Sequence, residues 1–151
     1  MVGRLETAYS DAGQSPGLAL WRVTNTWQSA IRAALAPFDL THVQFVLLAS
    51  LTWMDRASPV TQRDLADHAG TDVMMTSQVL RVLEGKGLIS RSPHPTDGRA
   101  RALTPTTMGA ALASKANTAV EAADLRYFAA LEGERDDFLR HLQALDRAHR
   151  R

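Results

Sequence analysis

A chain of 151 residues with 45% apolar and 22% charged residues has the balance of a folded globular protein rather than a disordered tail, with room for one compact domain and an added helical layer. Its 17 basic residues are offset by 16 acidic ones, so net charge argues for no partner, and any nucleic-acid binding must come from a local basic concentration. The sequence has no cysteine, which excludes disulfides, thiolate metal sites and a thiol redox switch. No apolar run is long enough to span a bilayer, and the opening residues lack the basic-then-apolar order of a secretory signal, so the cytoplasm is the expected compartment and no membrane partner is expected.

In chain order, residues 1–14 are polar and predict a loose arm. Ser15-Pro16 reads as an N-cap followed by proline at the first helical position, where its missing N–H costs nothing. Leu20, Val23, Trp27, Ile31 and Leu35 then recur at spacings of three and four, an apolar helical stripe that Pro37 stops. Thr41-His42-Val43-Gln44 matches a capping box, and Phe45, Leu48, Leu51 and Met54 continue a second stripe. Thr61 opens a short helix over 62–68, with Leu65 and Ala66 facing inward and Gly70 as its terminator. A third stripe, Val73, Thr76, Leu80 and Leu83, ends at Gly85-Lys86-Gly87. Two helices around a tight turn near Gly70-Thr71 form a helix-turn-helix pattern. Residues 88–93 and 99–104 are short extended runs around a tip containing Pro95 and Asp97-Gly98, which reads as a hairpin. Thr106 is the next N-cap, and Leu112, Ala116, Val120, Ala123, Tyr127 and Leu131 line a long helix. Gly133 is expected to break it, with Phe138, Leu142 and Leu145 marking a last helix.

If Val73, Thr76, Leu80 and Leu83 pack inward, Met74, Met75, Gln78 and Arg81 point away from the core, with Ser77 beside them. Gln reads adenine through its amide, Ser reads a base or a phosphate, and methionine meets thymine methyl groups. A helix of this length spans roughly 20 Å, enough to lie along a major groove about 12 Å wide. Between positions 81 and 101 the basic residues Arg81, Lys86, Arg91, Arg99 and Arg101 outnumber Glu84 and Asp97, a basic patch hidden by the neutral average. Taken alone, the helix reads first as a solvated amphipathic surface helix, since surface arginines are common. Joined to a basic hairpin, it points to DNA.

The assembled string resembles the multiple-antibiotic-resistance regulator (MarR) family. The residues that carry the resemblance are Thr61-Gln62-Arg63-Asp64-Leu65-Ala66, Thr76-Ser77-Gln78-Val79-Leu80, Leu83-Glu84, Gly87-Leu88-Ile89, the hairpin from His94 to Arg99 with its Asp-x-Arg tip, and Thr106-Thr107-Met108-Gly109. The resemblance implies a mainly α fold: a winged helix-turn-helix over 37–106 with a two-stranded β-wing, and a helical dimerisation layer from 15–36 and 107–151. It implies a homodimeric repressor or dual regulator of transcription that binds a palindromic operator in double-stranded DNA, with Thr61 and Gln62 at the interface. It also implies that Arg99 enters the minor groove and that Asp97 helps hold it; a narrow A·T-rich groove concentrates negative potential and suits an Arg. The sequence departs from the family pattern at Pro105. Proline cannot donate to a ladder, so the second strand is expected to end one or two residues early.

The family resemblance further implies a small organic effector, an aromatic acid or phenolic compound, that loosens the protein from its operator. The candidates for its pocket wall are Trp21, Trp27, His42, Phe45 and Trp53, with Arg22 or Arg32 to pair with a carboxylate. The aromatic residues among these are read first as core or dimer-interface residues. The five histidines form no H-E-x-x-H or comparable pair, so neither metal nor cofactor is expected, a metal site shared between chains being the alternative. Gly13-Gln14-Ser15-Pro16-Gly17 matches the G-x-S-x-G string of serine hydrolases. That chemistry needs a strand before the Ser and an N–H after it, and Pro16 has none, so no catalytic residue is assigned. The reading that competes with a ligand-responsive regulator is a constitutive DNA-packing protein without effector.

Overall fold

A computed structural model describes residues 4–54 and 58–150. Its elements are α1 (Pro16–Leu35), α2 (His42–Trp53), α3 (Gln62–Ala69), α4 (Val73–Gly85), β1 (Ile89–Pro93), β2 (Arg101–Pro105), α5 (Thr107–Phe128) and α6 (Arg135–His149). Short 3-10 turns at Ala12–Gln14, Ala36–Phe38 and Ala129–Glu134 precede α1, follow it and join α5 to α6. The fold is mainly helical with one two-stranded antiparallel sheet. The expected loose arm therefore ends in a turn of its own, where the Asp11 carboxylate accepts the Gly13 N–H at 2.7 Å.

The helix starts follow their caps. The Ser15 hydroxyl accepts the Leu18 N–H, and the Thr41 and Gln44 side chains exchange bonds with each other's backbone N–H in a capping box. Thr61 and Asp64 form a second capping box, and Asp72 caps α4 by accepting the Met75 N–H. Gly70 (φ 69°) and Gly87 (φ 72°) take the left-handed conformation that ends α3 and α4. After α4, the Leu88 N–H reaches the Leu83 carbonyl and the Gly87 N–H reaches Glu84, the paired bonds of a Schellman motif.

α2 is apolar on nearly all sides because it packs against α1, α3, α4, α5 and β2. Phe45, Leu47, Leu48 and Leu51 from α2 join Ile31, Leu35, Leu65, Leu80, Leu83, Ile89, Leu103, Ala116 and Val120 in one core. Thr76, the one buried polar residue among the described residues, is satisfied by the Asp72 carbonyl at 2.7 Å and the Thr71 hydroxyl at 2.7 Å, which ties the turn to α4.

Four expectations need correction. Val73 does not share the buried stripe of Thr76, Leu80 and Leu83; it is 54% exposed, because at the first helical position no neighbouring element overlies it. β2 does not stop short of Pro105, which is buried and in register with Ile89. The Leu103 N–H donates outward to the Val60 carbonyl at 2.7 Å, so the N–H direction at 103 and 105 is away from β1, and a proline at 105 removes no bond of the ladder. The long helix ends at Phe128 rather than near Gly133, and the left-handed backbone falls on Glu132 (φ 50°), which nothing in the surroundings explains. Met54 lies one residue past the end of α2, as its C-cap.

The two outer helices are less covered. Only Ile31 and Leu35 of the α1 stripe are buried, while Leu20, Trp21 and Val23 are exposed. α6 buries no residue, and Leu139, Leu142 and Leu145 face solvent. Among the described residues no single helix is long and apolar enough to cross a membrane.

Candidate nucleic-acid interface

The burial of Thr76, Leu80 and Leu83 leaves one face of α4 free, and that face carries Met74, Met75, Gln78 and Arg81, all exposed, with Ser77 half-buried beside them. On α3, Thr61 is occupied as the cap, and the Gln62 amide leans across the turn toward the Val73 carbonyl at 3.4 Å. The helix pair thus presents uncommitted side chains from α4 and a partly committed pair from α3.

The hairpin stands beside this face. Thr61, Gln62, Arg63, Arg91, Asp97, Arg99 and Arg101 line one groove between the start of α3 and the wing. Arg99 and Arg101 are exposed there. Arg91 is not free: its Nε lies 2.9 Å from a Glu84 carboxylate oxygen, its side chain is only 24% exposed, and its Nη2 is buried without a protein partner. It joins the last turn of α4 to the first wing strand. Asp97 acts on Arg99 through the backbone, accepting its N–H at 3.0 Å. Arg63 was not among the sequence candidates, although it sits one residue past Gln62 and adds a fourth arginine to the groove.

A second joint links the winged region to α5. The Thr106 hydroxyl donates to the Gly87 carbonyl at 2.7 Å and accepts the Gly109 N–H at 3.0 Å, while the Thr106 N–H donates to Leu88. Any Cβ at Gly109 would collide with the Leu88 backbone. The Thr-x-x-Gly string therefore clamps the segment that follows α4 to the start of α5.

Of the pocket candidates, Phe45 is buried in the core and Trp21 is exposed on α1. Trp27 is half-buried, donates its indole N–H to Asp124 at 2.8 Å, and meets His42 edge-on at a centroid distance of 5.2 Å. Burial and, after it, the nearby Arg32 hold the His42 imidazole below its ordinary pKa, against an opposing pull from Asp124. Trp53, 87% exposed, borders a separate cavity of about 190 Å³ lined with Ala49, Thr52, Ala113, Ser114, Asn117 and Glu121. Ser15, the centre of the hydrolase-like string, caps a helix and follows a 3-10 turn instead of a strand.

The sequence profile of the MarR family matches residues 40–100. The chain is 44% identical over 138 residues to the HTH-type transcriptional regulator YdcH of Bacillus subtilis (strain 168), covering 91% of this chain and 93% of that one. In structure it is similar to the transcriptional repressor CouR of Rhodococcus jostii RHA1 bound to a 23-mer DNA duplex, with a TM-score of 0.80, 28% identity, and 94% and 99% of the two chains covered. It is also similar to the Mycobacterium tuberculosis MarR family protein Rv2887 in complex with salicylic acid, with a TM-score of 0.68, 34% identity, and 90% and 98% covered.

Proposed function

The chain belongs to the MarR family of transcription regulators, which are not enzymes, and on that premise we propose that it is a homodimeric repressor released from a palindromic operator by a small organic ligand. The observation that carries this reading is the α4 face of Met74, Met75, Gln78 and Arg81, left free beside a wing that exposes Arg99 and Arg101. In this reading Gln78 and Ser77 contact base edges, the methionines meet thymine methyl groups, and Arg99 enters the minor groove from a tip that Asp97 shapes. Arg63 and Arg101 contact phosphate, and Arg91 serves from behind by holding the wing to α4.

The exposed stripes of α1 and α6 support a dimer, since the winged region offers them no cover. Two copies would present their recognition helices to half-sites about one helical turn, roughly 34 Å, apart. The Thr106–Gly109 clamp supports coupling, because a shift of α5 relative to α2 must move the segment that follows α4. A planar acid suits the corner where Trp27 and His42 meet near Arg32; the Trp53 cavity has Glu121 as its charged wall and suits it less. The relative Rv2887 is seen with salicylic acid, which supports that ligand class. Moving a dimer from almost fully bound to almost fully free requires about 5.5 kcal/mol of differential affinity, so the effector must bind free protein far better than operator-bound protein.

The test is selection of bound fragments from genomic DNA with purified protein, followed by a screen of aromatic acids for release. The expected outcome is one palindromic site preferred at least about a thousandfold over random duplex, with release by a subset of the acids. Binding without a sharp specificity ratio would instead make the chain a constitutive DNA-packing protein.

A further inference from the structure

The wing tip is organised around a side chain that plays no part in the reading above. His94 leaves β1 at the start of the tip, and its Nδ1 accepts two backbone N–H groups, from Thr96 at 3.2 Å and from Asp97 at 3.0 Å. The His94 N–H donates to the Ala100 carbonyl at 3.2 Å, and the Ala100 N–H returns to the Asp97 carbonyl at 3.2 Å. Asp97 then accepts the Arg99 N–H. The chain of bonds runs from the His94 ring through Asp97 to the backbone of Arg99.

Two N–H donors can converge on Nδ1 only when that nitrogen carries no proton, so the ring is neutral with its hydrogen on Nε2. A proton on Nδ1 would turn the acceptor into a donor facing the Thr96 and Asp97 N–H groups; the Thr96 hydroxyl, 3.4 Å away, can then accept from the ring, but both backbone amides lose their shared acceptor. We propose that His94 is the positioning residue of the wing: its neutral ring holds the tip closed and so aims Arg99 at the DNA, and protonation opens the tip and weakens operator binding. The proposal rests on the reading of Arg99 as a DNA contact and adds to it what orients that arginine and which condition disorients it.

The charged groups of the groove beside the tip come from three elements, and Asp64 of α3 is near enough to the ring to feel its charge. On the tip and the return strand the groove charges are Asp97, Arg99 and Arg101; on β1, Arg91, itself paired with Glu84; and at the start of α3, Arg63. A proton would also add one positive charge near phosphate, which by itself tightens DNA binding. Loss of the shared acceptor acts in the opposite direction, and the sign of the effect therefore separates the two.

His94→Asn keeps an acceptor on the same branch of the side chain and cannot titrate, whereas His94→Leu removes the acceptor. In the free protein, amide hydrogen exchange and NMR shifts of Thr96 and Asp97 should change in step with protonation of the His94 ring, read from its own ring resonances, as the pH is lowered. In His94→Asn those amides should stay protected throughout, and in His94→Leu they should be unprotected throughout. On operator DNA, the wild type should lose about tenfold in affinity once the ring is protonated, relative to His94→Asn at the same pH, the order expected for one lost hydrogen bond. Amides that stay protected while His94 titrates overturn the proposal, as does His94→Asn behaving like His94→Leu. A rise in affinity on acidification overturns it as well, because the added charge then dominates. If the amides respond but operator affinity does not, the tip is set by His94 and it is the assignment of Arg99 to DNA that fails.

Discussion

The winged region and the outer helices treat their apolar residues in opposite ways. From α2 to β2, large aliphatic side chains such as Leu47, Leu48, Leu65, Leu80 and Leu83 are fully enclosed, and three of the helix starts, at Thr41, Thr61 and Asp72, are capped by a side chain. In α1 and α6, Leu20, Val23, Leu139, Leu142 and Leu145 remain exposed, and the start of α6 has no side-chain cap. A region whose donors and apolar groups are satisfied internally is stable from its own contacts. A region with open stripes draws its stability from another surface, which in the proposed function is a second copy of the chain.

The largest effect is expected at the core. Leu48→Ala should cost about 2–5 kcal/mol in urea unfolding, independent of protein concentration, because it leaves a cavity inside one subunit. Leu142→Asp should leave the winged region folded but abolish the dimer, each buried leucine being worth about 1.5–3 kcal/mol of association; light scattering across a dilution series reads this. If Leu142→Asp lowers the unfolding midpoint of a protein that stays dimeric, the division between the regions is wrong. Gly109→Ala should cost about 1–3 kcal/mol by forcing α5 away from Leu88, and it should weaken the coupling between effector and operator along with stability.

The smallest effect is expected at a helix cap. The Thr61 N–H and hydroxyl hold the Asp64 carboxyl below its ordinary pKa, so the stabilisation is present above the usual carboxylate value of about 4 and is lost as pH falls through the lower folded value. Asp64→Ala should therefore lower stability at neutral pH by under about 1 kcal/mol, given the exposure of the group, and the two melting curves should converge on acidification. A constant gap across that range would contradict the cap assignment.

What was legible in the sequence was what is encoded locally. Ser15, Thr41, Thr61 and Thr106 act within three residues of themselves, and the interiors of the α2, α4 and α5 stripes repeat at the helical period, so both read from spacing, whereas the end members Met54, Val73 and Leu131 did not. Features that depend on a distant partner did not read. Whether Pro105 can sit in a strand depends on which way Leu103 faces, and that is set by Val60, more than forty residues earlier in the chain. Arg91 counts as a free cation in a linear charge count but is paired with Glu84 across the helix–wing joint. His94 looked like a scattered histidine because its role lies in where its ring nitrogen meets the backbone after the tip has folded.

Operator binding measured against salt separates a base-reading α4 from an anchoring wing. Gln78→Ala should shift base preference, costing about 1–3 kcal/mol at its cognate position with the salt slope unchanged. Arg99→Ala should weaken binding to all sequences and reduce the salt slope by about one unit, with little change in major-groove preference. Arg99→Ala leaving both affinity and slope untouched, or Gln78→Ala leaving base preference untouched, would contradict the account.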